Sequence, residues 1–551
     1  MLAANQTTVY ASSGKHLLVT PRPQSTLKSD LPTPFKFRGS GVLLHPTSLP
    51  GGHGTGDLGP EARGFAQWLH CAGQSYWQML PLCPPGAGYS PYDSPSANAI
   101  SPLLISLDDI VELGSISRQE LLRLPKHLNL TKANFDAAQQ LKDAILRRAH
   151  EQFVNGARSS QRKSFDAFCQ QQSVWLEDHA LFSALKQTHG GAPWHSWEPA
   201  LRDRNAQRLA QACAELRTEI DYHRFVQFQL DLQWQQLHDL CSSLGILLMG
   251  DVPIYVAYDS VDVWAHREVF HLDEAGRRKC VAGVPPDYFS KTGQLWGNPL
   301  YDWKSLEKDG FSWWLERMRV VLSRFDAVRL DHFIGFRHYW EVPAAATTAE
   351  LGRYVRVPAE QFFQALEAKF AKLPFLAEDL GVVTEEIHQL RSAWGLPGMR
   401  ILQFAFDDPC GSDYLPNRFE RNTVVYTGTH DNDTLIGWLS PSSGNAVRMS
   451  KQQRAVRARA LAYLGDSPKD VHWSFIRLAL QSVADTAIFP LQDILGLGAN
   501  ARMNTPATTA GNWKWRMAKG ALTSAQAGRL RGLCECYERT KVDKNAGKRR
   551  G

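Results

Sequence analysis

The chain has no apolar run of the eighteen or so residues needed to span a bilayer, so nothing in it reads as a membrane segment. Cysteine is sparse and scattered: nine residues, an odd number, at 71, 83, 169, 213, 241, 280, 410, 534 and 536, with no CxxC pair. That pattern belongs to a reducing compartment and offers no zinc site. No two histidines stand four apart, which removes the HxxxH spacing of a metallohydrolase helix. No P-loop pattern opens any strand–helix unit, so phosphate-cradling nucleotide chemistry has no foothold. What remains is 551 residues, 43% hydrophobic and 21% charged, the balance of a globular protein. Tryptophan is the excess: seventeen residues, enough to suggest flat apolar faces needed outside the core.

The net charge of +6 comes from the ends. Residues 1–38 carry net +4 and residues 539–550 net +5, which leaves −3 for the body. A near-neutral body gives no electrostatic footprint for nucleic acid. The basic ends read as solvated tails. The first 38 residues are hydroxyl-rich and hold one acid, Asp30, as organelle-import leaders do; the alternative is a tail that targets nothing. At the other end, residues 521–551 read as a helix to about 536 followed by a loose basic segment.

Eight short apolar runs recur between residues 41 and 497, beginning with GVLLHPT (41–47), SYWQMLPL (75–82) and ILLMGDVPIYV (246–256). RFDAVRLDHF (324–333), PFLAEDLG (374–381), MRILQFAF (399–406), NTVVYTGTHDND (422–433) and TAIFPLQDILGL (486–497) complete the set. Several are separated by helical periodicity. Fully apolar strands alternating with helices are what parallel pairing requires. Eight of them predict a (β/α)8 TIM barrel over 39–520, with a doubly wound open sheet as the alternative. A helical insertion is expected at about 105–240, where apolar residues recur at i, i+3 and i+4.

In such barrels the reactive groups stand at the C-terminal ends of the strands. Reading each run to its end gives Asp251, Asp331, Glu378 and Asp431. Any one of them alone is a helix cap; four at one mouth suggest chemistry. Arg329 lies two residues before Asp331, hence on the same side of the strand, and would keep it ionised. Glu378 follows the apolar FLA, which suits a raised pKa, although Asp379 beside it complicates that. His332 and His430 each adjoin one of these Asp residues and are candidates to orient hydroxyl groups or transfer protons. An ionised carboxylate beside a protonated one is the equipment for glycosidic bond cleavage through a covalent sugar ester. Metal-assisted hydrolysis is the competing chemistry for an acidic mouth. The segment 283–303 reads as a long loop whose Trp296 and Tyr288 would stack on sugar rings, with Gln294 and Asn298 as polar partners. Ser90, Tyr92 and Asp93 come from the loop after the second strand. Loop packing is the competing reading for each aromatic.

The runs GVLLHPTSLPG, SPYDSPSANA, GDVPIYVAYDSVDVW, VAGVPPDYFSKTGQLWGNPLYDW, FDAVRLDHFIGF, AEDLG, GTHDND and ARMNTPATTAGNWKWR follow one another in an order that resembles the amylomaltase family. These are the 4-α-glucanotransferases, the disproportionating enzymes of bacteria and plastids, and the resemblance covers about 40–516. It implies a retaining transferase on an α-amylase-type barrel without a C-terminal β-domain, moving α-1,4-glucan segments between maltooligosaccharides and releasing glucose. It also implies the roles. Asp331 is the nucleophile, Glu378 the acid/base and Asp431 the transition-state stabiliser. Tyr92, Asp251, Arg329 and His430 match residues around the reacting sugar, Gln294 and Trp296 the loop over the cleft, and Arg502 and Asn504 a further matching motif. No metal or organic cofactor is implied.

The chain departs from that pattern at Ile334, where many relatives have Arg, and at Ala507, where Gly is commoner. Ala87 stands where some bacterial relatives have a tyrosine at a secondary glucan site. The ends and the spacing of 47 between Asp331 and Glu378 leave no room for the additions of the cytosolic plant enzymes. Plastid stroma is the expected location and bacterial cytoplasm the alternative, with the protein a monomer or homodimer. An amylase-type hydrolase and a catalytically silent glucan-binding scaffold are the competing functions.

Overall fold

The computed structural model describes residues 33–540, apart from 113–115, 123–130, 287–290, 408–411, 441–448, 466–469 and 509. Tyr288, most of the leader and the residues beyond 540 therefore lie outside the described residues. Eight strands form the centre: β1 (Gly39–Leu43), β2 (Tyr76–Gln78), β3 (Leu247–Val252), β4 (Ala327–Leu330), β5 (Phe375–Ala377), β6 (Gly398–Ile401), β7 (Thr423–Tyr426) and β8 (Thr486–Pro490). They pair in parallel, each with its neighbours in chain order, and β8 closes onto β1. The expected (β/α)8 barrel is the observed one.

The strands read as continuous apolar runs because both of their faces are covered. Tyr76, Met249, Leu376, Met399, Val424 and Ile488 point inward and fill the barrel. Their neighbours Trp77, Leu248, Phe375, Val425 and Phe489 point outward into the layer of helices. This alternation is the strand's period of two, with an apolar environment on either side.

Between β2 and β3 the chain forms helices at Phe135–Gly156, Ser159–Gln171, Ser173–Thr188, Ala206–Glu215 and Arg217–Ser243, with shorter turns between them. The last and longest does more than pack. Gln227 accepts from Ile100 N–H and donates to Ile100 C=O, both at 2.9 Å. Gln233 does the same to Ser106, at 2.7 and 3.0 Å. Two buried side-chain amides thus satisfy the backbone of the segment leaving β2, which would otherwise be stranded away from water. They fix the root of the loop that carries Ser90 and Tyr92.

The segment 283–303 differs from the loop its Pro and Gly content suggested. It contributes to a separate antiparallel sheet with strands Gln294–Pro299, Cys280–Val284, His338–Pro343 and Arg353–Arg356 in that spatial order. The Cys280–Val284 strand joins Gln294–Pro299 to His338–Pro343, whose paired residues (Gly283 with Trp340, Cys280 with Pro343) are far apart in the chain, a long-range contact that local composition does not carry. The run GTGDLG (54–59) has dinucleotide-loop spacing, yet its glycines serve close packing. A Cβ at Gly56 would stand 2.2 Å from the Pro46 carbonyl oxygen, and one at Gly59 2.3 Å from Ser106 Oγ.

The basic ends are not all solvated. Phe35 is buried and, like Phe37, stacks on Tyr76, so the last residues of the expected leader belong to the packed body. Arg539 is fully buried beneath the barrel. Its Nε donates to Leu480 O at 2.7 Å, Nη1 to Gly39 O at 2.9 Å and Nη2 to Ala484 O at 2.8 Å, with longer contacts to Ala479, Ser482 and Asp485 carbonyls. Two of these, Ala479 and Leu480, belong to the last turn of helix Val471–Gln481, where carbonyls run short of partners within the helix. The tail's first arginine is drawn in to satisfy them. Arg539→Ala should cost about 3 kcal/mol in a denaturant titration while leaving the circular dichroism spectrum of the folded protein unchanged.

Candidate active site

The barrel presents its carboxylates one strand at a time. Asp251 lies within β3, Asp331 directly follows β4, Glu378 directly follows β5, and Asp431 is carried on the turn after β7. The parallel ladder continues one step past the strands, with Asp331 N–H donating to Val252 O at 3.0 Å and Glu378 N–H to Leu330 O at 3.1 Å. Both side chains therefore leave backbone that is still held by its neighbours.

Arg329 organises the centre. It is buried, and its Nη1 donates to both oxygens of Asp251 at 2.9 and 2.7 Å. Its Nη2 stands 2.8 Å from Asp331 Oδ1. The two-residue spacing read from the sequence does put guanidinium and carboxylate together. Burial opposes the charge on Arg329, but Asp251 and Asp331 together hold its pKa well above the ordinary value. Asp251 also accepts from the Tyr92 hydroxyl at 2.8 Å. The Tyr92 ring stacks on His430, centroids 5.2 Å apart and planes 17° from parallel.

Glu378 is set differently. Burial pushes its carboxyl up to about 8, with Arg329 pulling against the rise and Asp331 adding to it. Its Oε2 accepts the backbone N–H of His332 at 2.7 Å. Asp379 adds a smaller push in the same direction as Asp331. It is buried in the barrel wall, where its Oδ1 accepts from Met399 N–H at 2.7 Å and its Oδ2 lies 3.5 Å from both Arg391 and Arg400. Asp431, the most open of the group, accepts from Asn504 Nδ2 at 2.6 Å and lies 3.4 Å from His430 Nε2. Arg502 holds the same turn, donating to the backbone oxygens of Asp431 and Asn504 at 2.6 Å each. Its guanidinium thus shapes the turn.

The remaining candidates separate by what they touch. Trp296 is partly exposed, its ring edge-on to His332 with centroids 4.8 Å apart, and its Nε1 donates to Gln294 Oε1 at 3.2 Å. Asn298 spends its amide on Val256 O at 3.0 Å, which ties the Gln294–Pro299 strand to the barrel. Ser90 Oγ accepts from Tyr92 N–H at 3.3 Å and holds the turn. Asp93 accepts from Ala87 N–H at 3.2 Å in the same loop. Burial lowers the pKa of His332 to about 4, so its ring is neutral in neutral solution. Ala507 has a φ of 61°, backbone that glycine adopts at less cost. Sequence reasoning assigned no role to Trp513, whose buried indole packs against Tyr92 and His430 at 5.9 and 6.0 Å. The only signal for it was an aromatic in a turn rich in Gly and Asn. Among the described residues, no three His, Cys, Asp or Glu side chains are gathered so as to hold a metal ion, and no helix is long and apolar enough to cross a membrane.

The family model described as 4-alpha-glucanotransferase matches residues 44–523. The chain belongs to this family. The 4-alpha-glucanotransferase of Thermus thermophilus is 46% identical over 507 residues, 91% of this chain and 99% of that protein. The chloroplastic/amyloplastic 4-alpha-glucanotransferase DPE1 of Arabidopsis thaliana is 42% identical over 514 residues, 92% of this chain and 87% of that protein. Among solved structures, an amylomaltase from Streptococcus agalactiae in complex with acarbose superposes with a TM-score of 0.87 at 34% identity, covering 92% of this chain and all of that one.

In this 4-alpha-glucanotransferase, Glu378 is a carboxyl that still holds its proton at neutral pH and sits beside a carboxylate paired to arginine. Glucan transfer that draws on that proton requires the protonated form of Glu378. With maltotriose, kcat/KM should be flat on the acid side of this group and fall as pH rises through about 8. Glu378→Gln should remove that limb together with most of the activity.

Proposed function

We propose that Asp331 is the nucleophile, Glu378 the general acid/base and Asp431 a stabiliser of the reacting sugar in a retaining transfer between α-1,4-glucans. The observation that carries this reading is the opposed setting of two neighbouring carboxyls. Arg329 is paired with Asp331, while burial keeps the proton on Glu378. In the first step an Asp331 oxygen bonds to the anomeric carbon. The bond to the bridging oxygen breaks, its electron pair stays on that oxygen, and the oxygen takes the Glu378 proton. In the second step the Glu378 carboxylate removes the proton from an acceptor hydroxyl, whose oxygen displaces Asp331.

Tyr92, Asp251, Arg329 and His430 form one connected surface below the reacting ring, suited to binding hydroxyls with fixed donors and acceptors. Asn504 holds Asp431, Arg502 holds the turn beneath it, and Trp296 with Gln294 offers an amphipathic face at the rim. Maltooligosaccharides are the substrate class that fits; the acarbose in the S. agalactiae amylomaltase supports the same choice. We place the enzyme in the plastid stroma on its hydroxyl-rich leader and on the chloroplastic naming of plant relatives.

With maltotriose, the protein should produce glucose together with a ladder of longer maltooligosaccharides and little net gain in reducing ends. Growth of reducing ends with only shorter products would make it a hydrolase. Asp331→Asn should lower the rate by about 10⁴-fold or more with an unchanged circular dichroism spectrum, and survival of activity would remove the nucleophile assignment.

A further inference from the structure

His332 stands between two groups already given roles, directly after Asp331 and hydrogen-bonded to Glu378, yet its ring has no obvious chemistry. Burial keeps the imidazole neutral. Its backbone is unusual: φ is 49° and ψ 53°, the left-handed region that a side chain larger than glycine's rarely occupies. Such a conformation persists only where the surroundings over-determine it.

Those surroundings are visible. One side of the imidazole meets Trp296, edge-on at 4.8 Å. The other lies over Gly335, where a Cβ would come within 2.9 Å of His332 Cδ2 and 2.7 Å of Ile254 Cδ1. Gly335 N–H returns to His332 O at 2.9 Å, and Phe333 N–H donates to the Glu378 carbonyl at 3.1 Å. The ring is thus seated in a slot, and the turn behind it is closed on the backbone of Glu378. What the left-handed conformation delivers is one N–H, aimed at Glu378 Oε2 at 2.7 Å.

We propose that the backbone N–H of His332, held left-handed by the seat of its imidazole between Trp296 and Gly335, is the positioning group that reserves Oε1 of Glu378 for the catalytic proton. This rests on Glu378 being the acid/base. An oxygen that accepts an N–H at this distance cannot also present its own proton along that line, so the proton resides on the other oxygen. A carboxyl free to rotate would divide its proton between two oxygens, only one of which can face the bridging oxygen of the glucan. The same N–H remains in place when Glu378 becomes a carboxylate, and there it stabilises the base needed for the second step. Trp296 belongs to the sheet over the cleft, so the acid's orientation is tied to that sheet through a single ring contact. His332 thereby acts through Glu378, without handling the proton.

The test compares two substrates whose first steps differ only in their need for acid. Maltotriose loses an alkoxide, which must be protonated; α-maltosyl fluoride loses fluoride, which carries off the electron pair of the C1–F bond unaided. His332→Gly keeps the N–H and tolerates positive φ, whereas His332→Val resists it, and His332→Ala serves as a milder second case should the valine variant not fold. The valine or alanine variant should lose about 100-fold in kcat/KM on maltotriose but no more than about fivefold on the fluoride. The glycine variant should stay within about tenfold of the parent on both. Equal losses on the two substrates, or a glycine variant as poor as valine on maltotriose, would overturn the proposal. Glu378→Gln supplies the reference: if it keeps full activity on maltotriose, the acid assignment has failed and not the role of His332.

Discussion

One buried guanidinium sets the terms for the catalytic end of the barrel. Arg329 meets Asp251 with one nitrogen and Asp331 with another, all three on adjacent parallel strands. Moving an arginine into a barrel interior is expensive, and a single carboxylate offsets that cost only in part. A second carboxylate completes the pairing. Arg329 pulls the Glu378 pKa down and Asp331 pushes it up, so burial is what keeps the proton on Glu378. Asp251, already committed to Arg329, takes the Tyr92 hydroxyl, and Tyr92 carries His430 and Trp513 against it. Removing Arg329 would therefore leave Asp251 and Asp331 as like charges at the ends of adjacent strands.

The barrel makes this economical. Parallel strands deliver their last residues to one rim, so four carboxylates distant in sequence converge without any loop having to reach far. Loops then do the adjusting. Asp431 is the exception among the acids, because it lies five residues past the end of its strand and relies on Asn504 and Arg502 to hold it. Its greater exposure follows from that placement: it is oriented from outside the barrel by a segment that returns after the eighth strand.

How much of this the sequence showed depends on the range of each interaction. Strands buried on both faces announce themselves as short apolar runs, and their order along the chain is their order in the barrel, so the architecture was legible. Asp251, Asp331, Glu378 and the pairing of Arg329 with Asp331 followed from strand ends and a spacing of two. The antiparallel sheet over the cleft did not, because the Cys280–Val284 strand finds its partner at His338–Pro343 and its Gly and Pro residues read as turn. Arg539 was counted with a solvated tail; the cluster of carbonyls beneath the barrel that it shares with Arg38, invisible in sequence, explains its burial. Ser90 and Asn298, expected to offer polar groups to a sugar, use those groups to hold backbone. Asp379 looked like a competitor for Glu378 until strand alternation turned it into the wall.

The placement of Trp296 bears on how such a site favours sugar hydroxyls over water. Its strand pairs with Cys280–Val284, which pairs with His338–Pro343, and that last strand begins seven residues after Asp331. One strand of that sheet therefore begins close after Asp331 in the chain. Asn298 and Tyr301 fasten the near edge to Val256 and Ile254, in the segment that follows β3. The sheet is thus tied to the chain that leaves two neighbouring barrel strands, the one bearing Asp251 and the one leading to Asp331. On the proposed role of Trp296 at the rim, its exposed face would gain from contact with a pyranose and nothing from contact with water, so an acceptor that covered this ring would both bind and exclude its competitor.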